Sequence, residues 1–244
     1  MISIVCSYNN KKILDECLLK SLEKQSTEYK LILVDNRENK FKSAAEAWNY
    51  GGNQADDGYI IFTHNDIQLL SDLWLDDLED ILDKIDNLGI AGVAGFPIGG
   101  KNILGNIKDG IPPQPAGIKI DKSEKVQTLD ECLVIIPKKV FNKFKFDENL
   151  GGWDLYAVDY CLNVKKHGLE AYVIPKSIYH RSHAFTMTND YYEILKKLLK
   201  KYGKDYDKIY TTCGIWNTYI PLNIQRIINN AYLSFYNLFN KKTT

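Results

Sequence analysis

The 244-residue sequence lacks the short glycine motifs that mark the commonest α/β nucleotide and ester sites. No GxGxxG follows its first apolar run, which argues against a dinucleotide-binding turn. No GxxxxGK[ST] or GxSxG occurs, which disfavours a P-loop NTPase and an α/β-hydrolase. Excess charge is also missing: Lys+Arg and Asp+Glu stand at 31 each. A neutral chain argues against nucleic acid as its main partner, because phosphate neutralisation needs a basic excess. Only the stretch carrying Lys196, Lys197, Lys200, Lys201, Lys204 and Lys208 is locally basic. Five cysteines (6, 17, 132, 161 and 213) form no CxxC pair, so neither a zinc site nor a redox dithiol is indicated. Cys6, Cys132 and Cys161 sit in apolar runs and read as small buried hydrophobes, which suits a reducing compartment. No run approaches the roughly 20 apolar residues that span a bilayer, and the first residues carry no basic, signal-like segment. The expectation is a cytoplasmic protein.

What is present alternates. Apolar runs at 2–6, 31–34, 59–62 and 90–96 read as buried strands. Helical spacing at 11–24, 43–50 and 71–87 separates them, with Ser43 as an N-cap and Gly51-Gly52 as a helix end. This order predicts an α/β fold: an open, mostly parallel sheet flanked by helices. The Gly- and Pro-rich segment 97–125 reads as an irregular excursion. Strand character returns at 129–137 and 171–174. A helix is expected over 153–167, stopped by Gly168, then another near 190–202 and an amphipathic stretch near 222–239.

Polar residues gather just after three strands: Ser7-Tyr8-Asn9, Asp35-Asn36 and His64-Asn65-Asp66. Open α/β sheets bind ligands outside the carboxyl ends of their strands, so these groups point to one crevice. Asp66 suits a hard cation such as Mg²⁺ or Mn²⁺, with His64 as a nitrogen donor, although Asn-Asp is equally a turn signature. Asp35 can bind a base or ribose edge, or serve as a turn residue. Tyr8 can lie near a nucleobase, or be a surface tyrosine. The cluster Tyr179-His180-Arg181-Ser182-His183 suits a metal or diphosphate contact. Asp154 and Asp159, five positions apart, would lie about 140° apart on a helix and cannot face one spot. Asp154 can be a dipole-favoured first-turn acid, Asp159 a buried structural acid, and either one a general base.

In order, Ile4-Val5-Cys6-Ser7-Tyr8-Asn9, Val34-Asp35-Asn36, Ala45 to Asn49, Gly51, Ala55, and Gly58 through Asp66 resemble family-2 glycosyltransferases of the GT-A fold. Phe146-Asp147-Glu148, the run Gly152 to Leu162, and Tyr179-His180-Arg181-Ser182 extend the likeness over about residues 1–185, nearest the streptomycin-biosynthesis StrF-like branch. The resemblance implies a Rossmann-like GT-A domain at 1–185 and a helical extension at 186–244 that packs, dimerises or touches a membrane. It also implies transfer from a nucleoside diphosphate sugar, UDP-sugar favoured, to a hydroxyl of a glycan or lipid-linked acceptor. Transfer would be inverting, in bacterial cell-surface polysaccharide synthesis. The donor would meet Ser7, Tyr8, Asn9, Asp35, Asn36, Asn49, His64 and Asn65. Asp66 and His180 would hold Mn²⁺ or Mg²⁺, His64 standing where such enzymes carry the first Asp of a DXD motif. Related enzymes place a Glu-Asp pair at the start of the late helix. Tyr156-Ala157 stands there instead, leaving Asp154 or Asp159 as the base. A sugar nucleotidyltransferase and a non-catalytic sugar-nucleotide-binding relic are the competing readings. The stretch 222–239 suggests a peripheral contact with the inner membrane leaflet, or packing on the domain or on a second copy in a homodimer.

Overall fold

The computed structural model describes residues 1–182 and 187–228. His183, the expected boundary at 185/186 and residues 229–239 of the amphipathic stretch lie outside the described residues. The elements run β1 (Ile2–Tyr8), α1 (Lys11–Leu14), a π-turn (Asp15–Leu19), α2 (Lys20–Leu22), β2 (Tyr29–Asp35), α3 (Ala44–Asn53), β3 (Tyr59–Thr63), β4 (Ile67–Leu69) and α4 (Leu78–Asp83). Then come β5 (Leu88–Gly92), β6 (Ala94–Phe96), β7 (Leu104–Asp109), β8 (Gln114–Ala116), β9 (Glu124–Val126), β10 (Thr128–Leu129) and β11 (Leu133–Pro137). The remainder are α5 (Lys138–Lys143), α6 (Tyr156–Lys166), β12 (Glu170–Val173), β13 (Ser177–His180), α7 (Asn189–Tyr202), β14 (Lys208–Thr211) and β15 (Gly214–Asn217).

The main sheet has the order β2-β1-β3-β11-β5-β12-β9. β1 pairs in parallel with β2 and β3, and β12 with β5, while β11 runs antiparallel to both of its neighbours. The sheet is therefore parallel across β2, β1 and β3, and antiparallel where β11 inserts and at the β9 edge. A second sheet, β10-β6-β7-β13-β4, carries β8 on β7.

The apolar run of β1 is buried on both faces because alternate residues serve different layers. Ile2, Ile4 and Cys6 pack with Leu14, Leu18, Leu22 and Trp74. Val5 packs on the other side with Trp48, Phe62, Phe141 and Tyr160. Cys6, Cys17, Cys132 and Cys161 are all buried and unpaired, as small hydrophobes would be.

Ser43 caps α3, its hydroxyl accepting from the Glu46 amide at 3.3 Å. Gly51-Gly52 do not end this helix; they lie inside it and let it approach the sheet. A Cβ on Gly51 would sit 2.3 Å from Val5 Cγ1, and one on Gly52 2.4 Å from Phe141 Cζ. Other expectations shift as well. Residues 71–87 give turns and only the short α4. Residues 90–96 divide between β5 and β6, in different sheets. The 97–125 segment contains β7, β8 and the start of β9, and 129–137 is interrupted at Asp130-Glu131.

The late helix begins at Tyr156 rather than 153, because Leu155 is left-handed at φ 63°. Asp154 is thus a loop residue, not a first-turn acid. Gly168, at φ 78°, follows the helix end as expected. A third apolar cluster joins Leu155, Val158 and Leu162 to Tyr191, Leu195, Leu198 and Trp216, so α7 and the β14–β15 hairpin pack on α6. Residues 222–228 are helical and expose Ile224, Ile227 and Ile228.

Candidate active site

Parallel register aligns the ends of β1 and β2, with Tyr8 opposite Asp35, and β3 ends alongside at Thr63. Beyond these ends lies a cavity of about 310 Å³ lined by Ser7, Tyr8, Asn9, Asn36, Asn39, Trp48, His64, Asn65, Trp153 and Tyr156. Six expected donor-side residues meet here: Ser7, Tyr8, Asn9, Asn36, His64 and Asn65. Asn65 Nδ2 donates to the Asn10 carbonyl at 3.2 Å, tying this loop to the end of β1.

Two expected donor residues do not line that cavity. The Asp35 carboxylate is clamped by Arg37, whose Nε approaches its oxygens at 2.9 and 3.0 Å, and whose backbone amide donates at 3.1 Å. Those contacts hold the Asp35 carboxyl well below the usual carboxylate range. Asn49 is buried and braces another loop. Its Nδ2 donates to the Phe146 carbonyl and Glu148 Oε1, both at 2.9 Å, and its Oδ1 accepts from the Phe146 amide at 3.0 Å. Both side chains are occupied by the fold.

At the wall of the cavity, β4 pairs antiparallel with β13 and sets His180 opposite Ile67, beside Asp66. His64, Asp66 and His180 each present a ligand atom, all within 4.8 Å of one another. Asp66 Oδ1 is buried and accepts no hydrogen bond; His180 Nε2 stands 3.5 Å away, too far for a good one. Such an orphaned carboxylate oxygen is what a cation would satisfy.

The ring nitrogens suit the same use. His180 Nδ1 lies 3.0 Å from Asp109 Oδ1, which leaves Nε2 facing Asp66. Tyr156 donates its hydroxyl hydrogen to the Glu131 carbonyl at 2.8 Å, so at 2.9 Å it can only accept from His64 Nε2. His64 is thereby held with its lone pair on Nδ1. Partners of this kind fix tautomers at metal-binding histidines. Burial and the nearby His180 push His64 down, favouring the neutral ring. Burial also lowers His180, but the Asp66 and neighbouring carboxylates outweigh it and raise it overall. Burial raises the Asp66 carboxyl, and the two histidines outweigh that and lower it. One carboxylate oxygen and two imidazole nitrogens fit a divalent cation.

Beyond this wall lies a second cavity of about 350 Å³. His64, Trp153 and His180 line it together with the acids Asp109, Asp130, Glu131 and Asp154, and Thr211 and Thr212 close it from the C-terminal hairpin. Asp154 therefore faces a cavity. Asp159 does not: only 3% exposed, it turns to α7, its Oδ1 2.7 Å from Lys201 Nζ. Arg181 also turns away, to Glu16 at 2.9 Å, while Ser182 donates to Asp109 at 2.8 Å. Asp109 and Glu131 were missed in the sequence. Asp109 ends a strand, as Asp35 does. Glu131 belongs to an acid pair interrupting an apolar run.

Residues 3–202 match the glycosyltransferase-like family. Among curated proteins none matches the chain. Solved structures agree in fold. GalNAc-T7 with UDP, GalNAc and Mn²⁺ superposes at TM-score 0.62 and 11% identity, over 82% of this chain and 47% of that one. The S. aureus TarS 1-349 complex with UDP-GlcNAc gives 0.56 and 14%, over 82% and 66%. The mannosyltransferase PcManGT from Pyrobaculum calidifontis with GDP-Man and Mn²⁺ gives 0.55 and 11%, over 84% and 64%. The chain spans about half to two thirds of the length of these structures. With its match over most of the sequence and its GT-A architecture, the chain belongs to the glycosyltransferase-like family.

Proposed function

We propose that this chain transfers a sugar from a nucleoside diphosphate sugar, UDP-linked by preference, to a hydroxyl of a glycan or lipid-linked acceptor. The observation that carries the reading is the His64-Asp66-His180 cluster, set between two cavities that share His64 and Trp153. One cavity suits a nucleotide and the other an acceptor. Solved structures of the same fold with UDP, UDP-GlcNAc and GDP-Man support a nucleotide-sugar donor.

Asp66, His180 and His64 would hold a divalent cation, while Asp109 and Tyr156 keep the two imidazoles in the ligating tautomer. A mixed nitrogen and oxygen donor set favours Mn²⁺ over Mg²⁺. When bound, the cation would offset the charge on the departing nucleoside diphosphate. Ser7, Tyr8, Asn9, Asn36 and Asn65 would surround the nucleoside. A carboxylate in the second cavity takes the acceptor proton as the hydroxyl oxygen bonds to the anomeric carbon. The bond from that carbon to the diphosphate oxygen breaks and the leaving group keeps the electron pair. Attack from the face opposite the diphosphate would invert the anomeric centre.

The remaining parts of the proposal concern setting. Membership of the StrF-like branch, a role in bacterial cell-surface polysaccharide synthesis and a cytoplasmic location belong to this reading. So does the division into a 1–185 transferase domain and a 186–244 extension. Among the described residues no helix is long and apolar enough to cross a membrane. Exposed Ile220, Ile224, Ile227 and Ile228 support a surface contact of the extension, with the inner membrane leaflet or a second copy. Liposome flotation would separate those two partners.

A thermal-shift panel of sugar nucleotides, with and without Mn²⁺, tests the donor assignment, because a ligand that binds only the folded state raises the melting temperature. A cation-dependent rise for one nucleotide sugar is expected, followed by release of nucleoside diphosphate on turnover. Release of pyrophosphate would instead mean nucleotidyl transfer. Binding without any release would mean a non-catalytic relic.

A further inference from the structure

Four carboxylates line the second cavity, and the fold treats them differently. Asp109 is occupied by His180 and Ser182. Asp130 accepts from the Cys132 amide at 3.1 Å and from the Thr212 hydroxyl at 2.9 Å, one bond to each oxygen. Asp154 has no hydrogen-bond partner among the described residues and sits between two positive-φ positions, Gly152 and Leu155. Glu131 is both held and available. Its Oε1 meets the Ala157 amide at 3.4 Å and the Tyr156 amide also supports the carboxylate, at the start of the 11-residue α6, while the side chain still lines the cavity. Its own carbonyl is gripped by Tyr156, which also holds His64.

We infer that Glu131 is the catalytic base that takes the acceptor proton, an inference that rests on the transferase reading above. The first turn of α6 supplies no alternative, because its acid, Asp159, is ion-paired with Lys201 on the far side. Glu131 enters from the turn between β10 and β11 and is anchored at the same helix end as Tyr156. One tyrosine thus links it to the wall on which the donor's diphosphate would rest. A positioned carboxylate is worth more as a base than one free to wander. Burial, then the charges of Asp154 and Asp130, push the Glu131 carboxyl well above the usual carboxylate range, and the α6 amides only partly oppose this. Raised basicity makes it a stronger proton acceptor than an exposed carboxylate. Asp154 then acts on Glu131 by its charge. In the transfer step the acceptor O–H proton passes to the Glu131 carboxylate, the oxygen's electron pair forms the new bond to the anomeric carbon, and the bond from that carbon to the diphosphate oxygen breaks, its electron pair leaving with the nucleoside diphosphate.

The test uses the full chain with Mn²⁺, the nucleotide sugar chosen by the thermal-shift panel, and a panel of octyl glycosides as hydroxyl acceptors, reading nucleoside diphosphate release against pH. E131Q keeps an oxygen for the Ala157 amide but cannot take a proton. It should melt and bind donor as the wild type does, yet lose about 10²- to 10⁴-fold in kcat. D154N removes a negative neighbour, so the acid limb of kcat/KM should move to lower pH while persisting. E131Q turnover within about threefold of wild type would overturn the inference. So would a D154N profile with no acid limb, which would make Asp154 the base. This second comparison does not depend on E131Q folding. A wild-type chain that binds donor but releases no diphosphate would defeat the transferase reading itself, a different result from either.

Discussion

Replacing Lys201 by alanine isolates what Asp159 does. In the wild type, Lys201 Nζ bridges Asp159 Oδ1 and Asp147 Oδ2, both at 2.7 Å. Asp159 is 3% exposed, so K201A would strand a carboxylate in the α6–α7 interface. Removing one partner of a buried pair costs about 3–5 kcal/mol. The Lys201 side chain keeps 36% exposure, and water already screens part of its charge. The expected loss is therefore about 2–3 kcal/mol at neutral pH. Burial already raises the Asp159 carboxyl, against the pull of Lys201, and removing Lys201 raises it further. A carboxyl raised on folding favours the fold below its unfolded pKa and loses that contribution as pH climbs through the folded value. The gap between K201A and wild type should thus shrink steadily as pH falls from 7 toward 4. Urea unfolding across that range measures it, and D159N in the K201A background should recover most of the loss at neutral pH. A K201A chain within 0.5 kcal/mol of wild type at pH 7, an order-of-magnitude threshold for surface changes, would refute the buried-pair argument.

Two further outcomes follow from the packing and the histidine partners. Asp109→Asn, which removes the carboxylate beside His180 Nδ1, should weaken Mn²⁺ binding about 10- to 100-fold in a calorimetric titration; unchanged affinity would mean that Asp109 does not orient the ring. Gly51→Ala brings a methyl to 2.3 Å from Val5 Cγ1 and should destabilise by about 1–3 kcal/mol in urea unfolding, and a neutral effect would show that α3 can back away from the sheet.

Much of the crevice was legible because strand ends are local features. Apolar runs ending in Ser7-Tyr8-Asn9, Asp35-Asn36 and His64-Asn65-Asp66 locate one sheet edge, and six of those side chains line one cavity. The resemblance implies Asp66 and His180 as joint metal ligands, and the β4–β13 register brings the two side chains to 3.5 Å. What escaped depends on long-range register. Asp109 meets His180 because β7 runs parallel to β13, and nothing local in the Gly- and Pro-rich 97–125 segment announces that pairing. Glu131 reaches α6 only because β10 and β11 belong to different sheets and turn between them at Asp130-Glu131. Asn49 and Asp35 have the right chemistry for a donor site, but neighbouring backbone and Arg37 take up their polar atoms. Gly51-Gly52 resembled a helix end in composition, yet the closeness of Val5 and Phe141 gives them a packing role within α3.

The most direct test of the central claim is a Mn²⁺ titration, in the presence of the matching nucleoside diphosphate, of the wild type against Asp66→Ala. Asp66 offers the buried carboxylate oxygen that no hydrogen bond satisfies, with His180 Nε2 3.5 Å away. Stoichiometric binding by the wild type, and loss of both binding and metal-dependent sugar transfer in the variant, is the expected result. An Asp66→Ala chain that binds Mn²⁺ with wild-type affinity and turns over unchanged would contradict it.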